Sequence, residues 1–226
     1  MQELETLFDS VYSLKKGKQS TLATRNLTPG ITYYGEPVFS VDKVEYRSWN
    51  PTRSKLGAVI LKGLKEMPIK PGSLVLYLGV ASGTTVSHVS DIIGEKGHVW
   101  GLDFAPRAVR DLVDNVISHR KNISPILGDA RQPASYSMFV QPVDVVFADV
   151  AQPDQAKIIV ENAMRYLRKG GHIMLSIKAR SIDVKENPKN IYETQTKIIE
   201  EAGFTVSEVI ELHPFEKDHA MVLASL

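Results

Sequence analysis

An α/β fold is predicted for this chain: a mostly parallel sheet with helices on both faces, its last strand antiparallel, preceded by a small antiparallel β unit. Three observations predict it. From about residue 73 onward, apolar runs of strand length alternate with segments whose apolar residues recur at helical spacing. The runs VDVVFADV and HIMLSIKA are almost wholly apolar, as parallel strands covered on both faces must be. The first 50 residues carry instead short runs rich in Thr, Tyr and Val, cut by Pro29-Gly30, Gly35 and Pro37.

In chain order, short strands are expected near 21–23, 31–34, 38–41 and 44–49. Asn50-Pro51 then opens a helix, with Asn50 as cap and Pro51 in the first turn, and Leu56, Val59, Ile60 and Leu64 at helical spacing. Strands follow near 73–79, 98–103, 123–127, 143–149 and 171–178, with helices near 84–94, 106–120, 153–168 and 188–202. FTVSEVIEL and HAMVLASL read as a final pair of strands joined by HPFEKD. The expected division is a β-rich unit over 1–50 and an α/β domain over 51–226. Repeats and low-complexity segments are absent.

Composition narrows the function. The 226 residues, 43% hydrophobic, are enough for one α/β domain with an appendage. No run reaches the roughly 20 apolar residues of a membrane helix, so no membrane partner is expected. The N-terminus lacks the basic-then-apolar order of a signal peptide, which predicts a cytoplasmic protein. Zero cysteines exclude disulfides, zinc-thiolate sites and thiol nucleophiles, and six scattered histidines without H-x-x-x-H spacing predict no metal. The net charge is only +1, so the chain does not grip nucleic acid by bulk electrostatics. Local basic clusters (Arg53, Lys55, Lys62, Lys65; Arg107, Arg110, Arg120, Lys121) read first as solvated helix faces.

The most informative stretch is Val75 to Phe104. It reads as a strand, a turn of small residues (Gly79, Ala81, Gly83), a helix starting at Thr84-Thr85, a second strand and the acid Asp103. Small residues let the backbone approach a ligand at a helix N-terminus, and an acid about 20 residues later can accept from both ribose hydroxyls. In such a sheet ligands bind beyond the C-terminal strand ends, where this chain lines up further polar candidates. Phe104 is expected against an adenine face and Asp129 on its amino group, with Ala130 beside it. Asp149, Val150, Ala151, Gln152 and Lys178 end the next two strands. The set accommodates NAD or S-adenosylmethionine; the terminal antiparallel pair favours the latter. Tyr77 stands where methyltransferase turns usually carry an acid, so the methionine amino group must be met elsewhere, at Thr84-Thr85 or Asp149.

The segments WNPTRSKLGAVI, LYLGVASGTTVSHVSD, PILGDAR, DVAQPDQAKI, IKARSID and EKDHAMVL resemble archaeal fibrillarin, the methyltransferase of box C/D guide ribonucleoproteins. The resemblance runs from about residue 20 to the C-terminus, and D-V-A-Q-P-x-Q-A and K-D-H-A are its most specific motifs. It implies a Rossmann-like class I methyltransferase sheet, S-adenosyl-L-methionine as cofactor, and methyl transfer to ribose 2′-hydroxyls of rRNA and tRNA. It also implies partners: a Nop-domain scaffold protein, a kink-turn-binding protein, a box C/D guide RNA and the target RNA. The family's catalytic set falls on Lys55, Asp149, Lys178 and His219. The chemistry asks for such a set, because a ribose hydroxyl attacks poorly until its proton is removed. A neutral lysine can take that proton, and a nearby second cation favours the neutral form. Lys178 is the expected base and Lys55 the second cation. Asp149 is expected to hold the ammonium groups, and His219 to complete the network.

Other functions are weighed against this. An NAD-dependent oxidoreductase needs a hydride-transfer acid such as Tyr-x-x-x-Lys, and none falls at the sheet edge. A base or protein methyltransferase more often carries Asn/Asp-Pro-Pro-Tyr where this chain has D-V-A-Q. Protein glutamine methylation and a non-catalytic, cofactor-binding role in an RNA-protein particle stay open on sequence alone.

Overall fold

The computed structural model describes residues 2–17 and 19–226. A five-stranded antiparallel sheet comes first, built from β1 (Gln2–Phe8), β2 (Val11–Lys16), β3 (Gln19–Arg25), β4 (Val38–Val41) and β5 (Val44–Ser48) in the order β1-β2-β3-β5-β4. Leu14, Ala23 and Tyr46 form its small core, with Tyr12 edge-on to Tyr46 at 5.1 Å. β1 and β2 were not expected from the sequence. The strand expected over 31–34 does not form. There the Glu36 carboxylate accepts from the amides of Tyr33 and Tyr34, and Asn26 Nδ2 donates to the Ile31 carbonyl, so side chains replace a ladder.

The helix expected from Asn50 is divided. Asn50 Oδ1 accepts from Thr52 N at 2.9 Å and caps a single 3-10 turn, Pro51–Arg53. Ser54 is extended (φ −154°) and caps a new helix, α1 (Lys55–Leu61), accepting from Gly57 N at 3.2 Å. A second side-chain cap, the Ser54 hydroxyl four residues after the Asn50 amide, is what restarts the helix.

The second sheet comprises β6 (Leu74–Leu78), β7 (His98–Asp103), β8 (Ile123–Leu127), β9 (Val143–Ala148), β10 (Leu167–Lys178), β11 (Thr205–Glu211) and β12 (His219–Ser225), ordered β11-β12-β10-β9-β6-β7-β8. β10, β9, β6, β7 and β8 pair in parallel; β12 runs antiparallel to both β10 and β11. The expected doubly wound, Rossmann-like arrangement is therefore present. The other helices are α2 (Thr84–Ile93), α3 (Pro106–Asn115), α4 (Gln155–Tyr166), α5 (Ala179–Ile182) and α6 (Pro188–Glu201). Strand pleating divides the core. Leu76, Leu78, Val146, Ala148, Ile173 and Leu175 face α4 and α6, whereas Val75, Tyr77, Val145, Phe147 and Met174 face α1 and α2. No described helix is long and apolar enough to cross a membrane.

A buried polar lock joins the first sheet to α2. Arg47 on β5 is fully buried and meets Asp91 (3.1 Å), Glu36 (3.0 Å) and Ser87 Oγ (2.8 Å). Asp91 also accepts from Thr24 Oγ1 (2.7 Å) and Leu27 N (3.0 Å) and pairs with Arg120 at 2.6 Å. Arg120 is thus buried, not part of a solvated basic face. Two guanidinium groups against two carboxylates leave no net charge to desolvate, the condition under which buried ions are tolerated.

Candidate functional site

The chain leaves β6 for β7 and β8 on one side, then returns to β9 on the other, so a crevice opens beyond the C-terminal ends of β6 and β9. The turn after β6 is shaped by what surrounds it. Gly79 has φ +79°, and a Cβ there would lie 2.7 Å from the Asp149 carbonyl oxygen. Ala81 is also left-handed (φ +51°), a strained state for a residue with a Cβ. Its amide is held there by Asp103 Oδ2 at 2.9 Å, while Asp103 Oδ1 accepts from Ala105 N at 3.0 Å. Each carboxylate oxygen keeps a free lone pair, so Asp103 can still accept from a ligand hydroxyl.

A cleft of about 210 Å³ lies over this turn. Gly79, Ala81, Asp103, Phe104 and Ala130 line one side; Asp149, Val150, Ala151, Gln152 and Lys178 line the other. It is not the largest depression, since a recess of about 470 Å³ sits beside Arg120 at the opposite end of the sheet. The smaller cleft is lined by the strand-end residues. Four expected cofactor residues fall outside its lining. Gly83 is the N-cap of α2 and lies against Leu112 and Val116, and Thr84 begins the first turn. Thr85 Oγ1 points the other way, donating to Ser54 Oγ at 3.0 Å. The Asp129 carboxylate is engaged by the Arg131 guanidinium at 2.7 Å, and Arg131's hydrogen bonds hold it below the usual carboxylate range. Of the two places considered for the methionine amino group, only Asp149 faces the cleft.

The four expected catalytic residues come together from four elements. Lys178, the last residue of β10, has its Nζ 2.9 Å from Asp149 Oδ1 and donates to the Asp149 carbonyl at 2.9 Å. Lys55, the first residue of α1, has its Nζ 3.8 Å from Asp149 Oδ2. His219 is the register partner of Lys178 across β10 and β12. Its Nδ1 lies 2.6 Å from the Lys217 carbonyl, which can only accept, so Nδ1 carries the hydrogen and neutral His219 presents Nε2 as an acceptor. Sequence reasoning missed one member. Glu216 Oε1 lies 3.6 Å from Lys55 Nζ, so two lysines and two carboxylates form one alternating network. The only signal for it was its place in the segment EKDHAMVL. Beneath the cleft, burial and the Asp149 charge push the Tyr77 hydroxyl well above its ordinary range, so it stays neutral. Among the described residues no group of three or more His, Asp and Glu could hold a metal ion.

Comparison with known proteins gives one consistent result. A family model described as Fibrillarin matches residues 3–226. A fibrillarin-like rRNA/tRNA 2′-O-methyltransferase of Methanococcus maripaludis is 50% identical over 221 residues, covering 97% of this chain and 95% of that one. A solved fibrillarin of Aeropyrum pernix in complex with natively bound S-adenosyl-L-methionine superposes with a TM-score of 0.90 at 48% identity, covering 99% of this chain and 100% of that one. A solved fibrillarin/Nop5p complex matches with a TM-score of 0.86 at 36% identity, covering 97% of this chain and 99% of that one.

Proposed function

The chain belongs to the fibrillarin family, and from that premise we propose that it methylates the ribose 2′-hydroxyl of rRNA and tRNA, using S-adenosyl-L-methionine. The observation that carries the reading is the Lys55–Asp149–Lys178 cluster opening onto the same cleft as the Asp103 turn. The cleft fits the cofactor. Gly79 clears room where a Cβ would meet the Asp149 backbone, Asp103 keeps acceptor capacity for ribose hydroxyls, and exposed Phe104 offers a flat apolar face. When bound, S-adenosyl-L-methionine supplies a methyl group activated by its sulfonium.

The chain's own residues supply the rest. Asp149 sets the spacing of the two ammonium groups by taking Lys178 on one oxygen and Lys55 on the other. Lys178, in its neutral form, takes the hydroxyl proton as the nucleophile attacks in line. Lys55 orients the hydroxyl and stabilises developing negative charge, and the Nε2 acceptor of His219 completes the hydrogen-bonded edge. Site selection is assigned to other molecules, because a chain of net charge +1 has little intrinsic hold on RNA. A Nop-domain protein is the scaffold, and a box C/D guide RNA with a kink-turn-binding protein completes the particle.

The test is Lys178→Arg in a reconstituted particle, scored by radiolabelled methyl transfer to a matched RNA. Arginine keeps the charge but cannot lose its proton in the working range, so turnover falls ~10²–10⁴-fold, the typical worth of a general base, while cofactor affinity stays near normal. Retention of most activity with a flat pH profile makes Lys178 an electrostatic positioner and leaves His219 as the base.

A further inference from the structure

The second glutamine of D-V-A-Q-P-D-Q-A, Gln155, lies outside the cleft and is fully buried. Its side chain reaches 23 residues ahead to one backbone position. Gln155 Oε1 accepts from Lys178 N at 2.9 Å, and Gln155 Nε2 donates to the Lys178 carbonyl at 3.2 Å. We infer that Gln155 is a positioning residue for methyl transfer, acting through Lys178.

The argument starts from where the sheet parts. β10 and β9 stay in register only as far as Leu175 and Ala148. Beyond that pair β9 ends and the chain turns at Asp149, so residues 176–178 have no strand on that side. The Lys178 amide and carbonyl point into this gap, where, part-buried, they would lack a strand partner. The Gln155 carboxamide sets one of its two N–H donors and its carbonyl oxygen against Lys178, the pair of bonds a neighbouring strand would give, and so replaces the missing strand for one residue. An apolar side chain there would avoid burying an amide, so the glutamine is matched to these two bonds. The gap is also where Lys178 Nζ must meet Asp149, and the clamp fixes the Cα from which that side chain extends. Gln155 is itself held at the start of α4, where the next amide, Ala156 N, donates to buried Gln195 Oε1 on α6 at 3.0 Å.

The inference rests on the proposed role of Lys178, and the experiment separates the two. Gln155→Met keeps length and apolar fit but removes both bonds; Gln155→Glu keeps the acceptor facing Lys178 N. Both are assayed in the reconstituted particle beside Lys178→Met and the double variant Gln155→Met/Lys178→Met, with cofactor affinity measured by calorimetry and folding by melting. Gln155→Met should lower kcat at least tenfold with cofactor Kd within twofold, and should displace the midpoint of the kcat–pH profile. Gln155→Glu should recover part of the rate. In the Lys178→Met background the Gln155 change should have no further effect, because a residue acting through Lys178 has nothing left to act on. A Gln155→Met variant with wild-type kcat and pH midpoint overturns the inference, as does an undiminished effect in the double variant. Should Gln155→Met not fold, Gln155→Glu decides: a folded variant with wild-type kcat and pH midpoint overturns the role, and a lowered kcat with a displaced midpoint supports it. Full activity of Lys178→Met instead refutes the reading of the base and, with it, the role of Gln155.

Discussion

Gly79→Ala separates close backbone approach from simple conformational preference. Two penalties apply. An alanine held at φ +79° costs roughly 1–2 kcal/mol. The new methyl would also lie 2.7 Å from the Asp149 carbonyl oxygen, 3.0 Å from its carbon and 3.3 Å from Val150 Cγ1. Two of these three atoms are backbone and cannot rotate away, so overpacking adds about 1–3 kcal/mol. At roughly 2–4 °C per kcal/mol for a chain of this size, the melting temperature should fall by about 4–20 °C. Gly63→Ala is the control: its φ is +93° but nothing lies within 4 Å of a Cβ, so only the conformational penalty applies. The displaced carbonyl is the one that Lys178 Nζ donates to. Gly79→Ala should therefore also weaken cofactor binding in calorimetry and slow methyl transfer under conditions where it is fully folded. Equal melting of the two alanine variants, or wild-type cofactor affinity and turnover in Gly79→Ala, would refute the close-approach argument.

Asp103→Ala should weaken S-adenosyl-L-methionine binding at least tenfold, since one hydrogen bond to a carboxylate is worth roughly 1.5–3 kcal/mol; unchanged affinity removes the ribose assignment. The isolated chain should bind RNA weakly and without sequence preference at physiological salt, and nanomolar, sequence-selective binding in a filter assay would contradict the charge argument. His88 is buried between Arg47 and Arg120, and burial first, then those charges, hold it well below its ordinary 6.5. The unfolded chain therefore takes up the proton that the folded chain refuses, and stability present above about pH 6.5 is lost as pH falls. Denaturant midpoints from pH 7.5 to 5 should show the decline, and His88→Asn should have a flatter profile; an equal slope in both assigns the decline to other groups.

The parallel strands were legible because full burial on both faces demands apolar runs, as in Val143–Ala148 and Ile173–Ile177. The Gly79–Gly83 turn and Asp103 were legible because their spacing is local. What escaped is long-range or offset by side chains. The strands QELETLF and VYSLKK are rich in charged and polar residues, and their apolar ones find partners only later in the chain: Leu14 against Ala23 and Tyr46, and Val11 in the larger core with Leu22 and Trp49. ITYY looks extended in sequence, yet the Glu36 carboxylate takes up the amides of Tyr33 and Tyr34. Arg120 reads as surface until Asp91, 29 residues earlier, is placed against it. The pairing of Asp129 with Arg131 was also not read from the sequence. Glu216 and Gln155 were visible only as members of the segments EKDHAMVL and D-V-A-Q-P-x-Q-A, which give neither a role; each gains one from the lysine it meets.

The position of Lys55 shows why the first sheet is more than an appendage. Lys55 does not sit on a strand of the catalytic sheet. It begins α1, a helix of seven residues, too short to hold its own position without tertiary packing. Trp49, which follows β5, stacks on His88 of α2 at 4.7 Å and presses its indole against Gly57 of α1, where a Cβ would lie 3.1 Å from Nε1. His88 Nδ1 is in turn 2.8 Å from Thr24 Oγ1, whose hydroxyl hydrogen goes to Asp91. The start of α1 is fixed a second time where Thr85 donates to Ser54, and a third where Glu216 meets Lys55. The Arg47–Asp91–Arg120 lock thus reaches Lys55 through a continuous path of packed groups: first sheet to α2, α2 to Trp49, Trp49 to α1. Glycine at 57 is what allows the indole to come so close. Under the role proposed for Lys55, loosening a contact on that path should shift its ammonium relative to Asp149 without touching the cofactor cleft, and the first sheet would then act on methyl transfer by geometry.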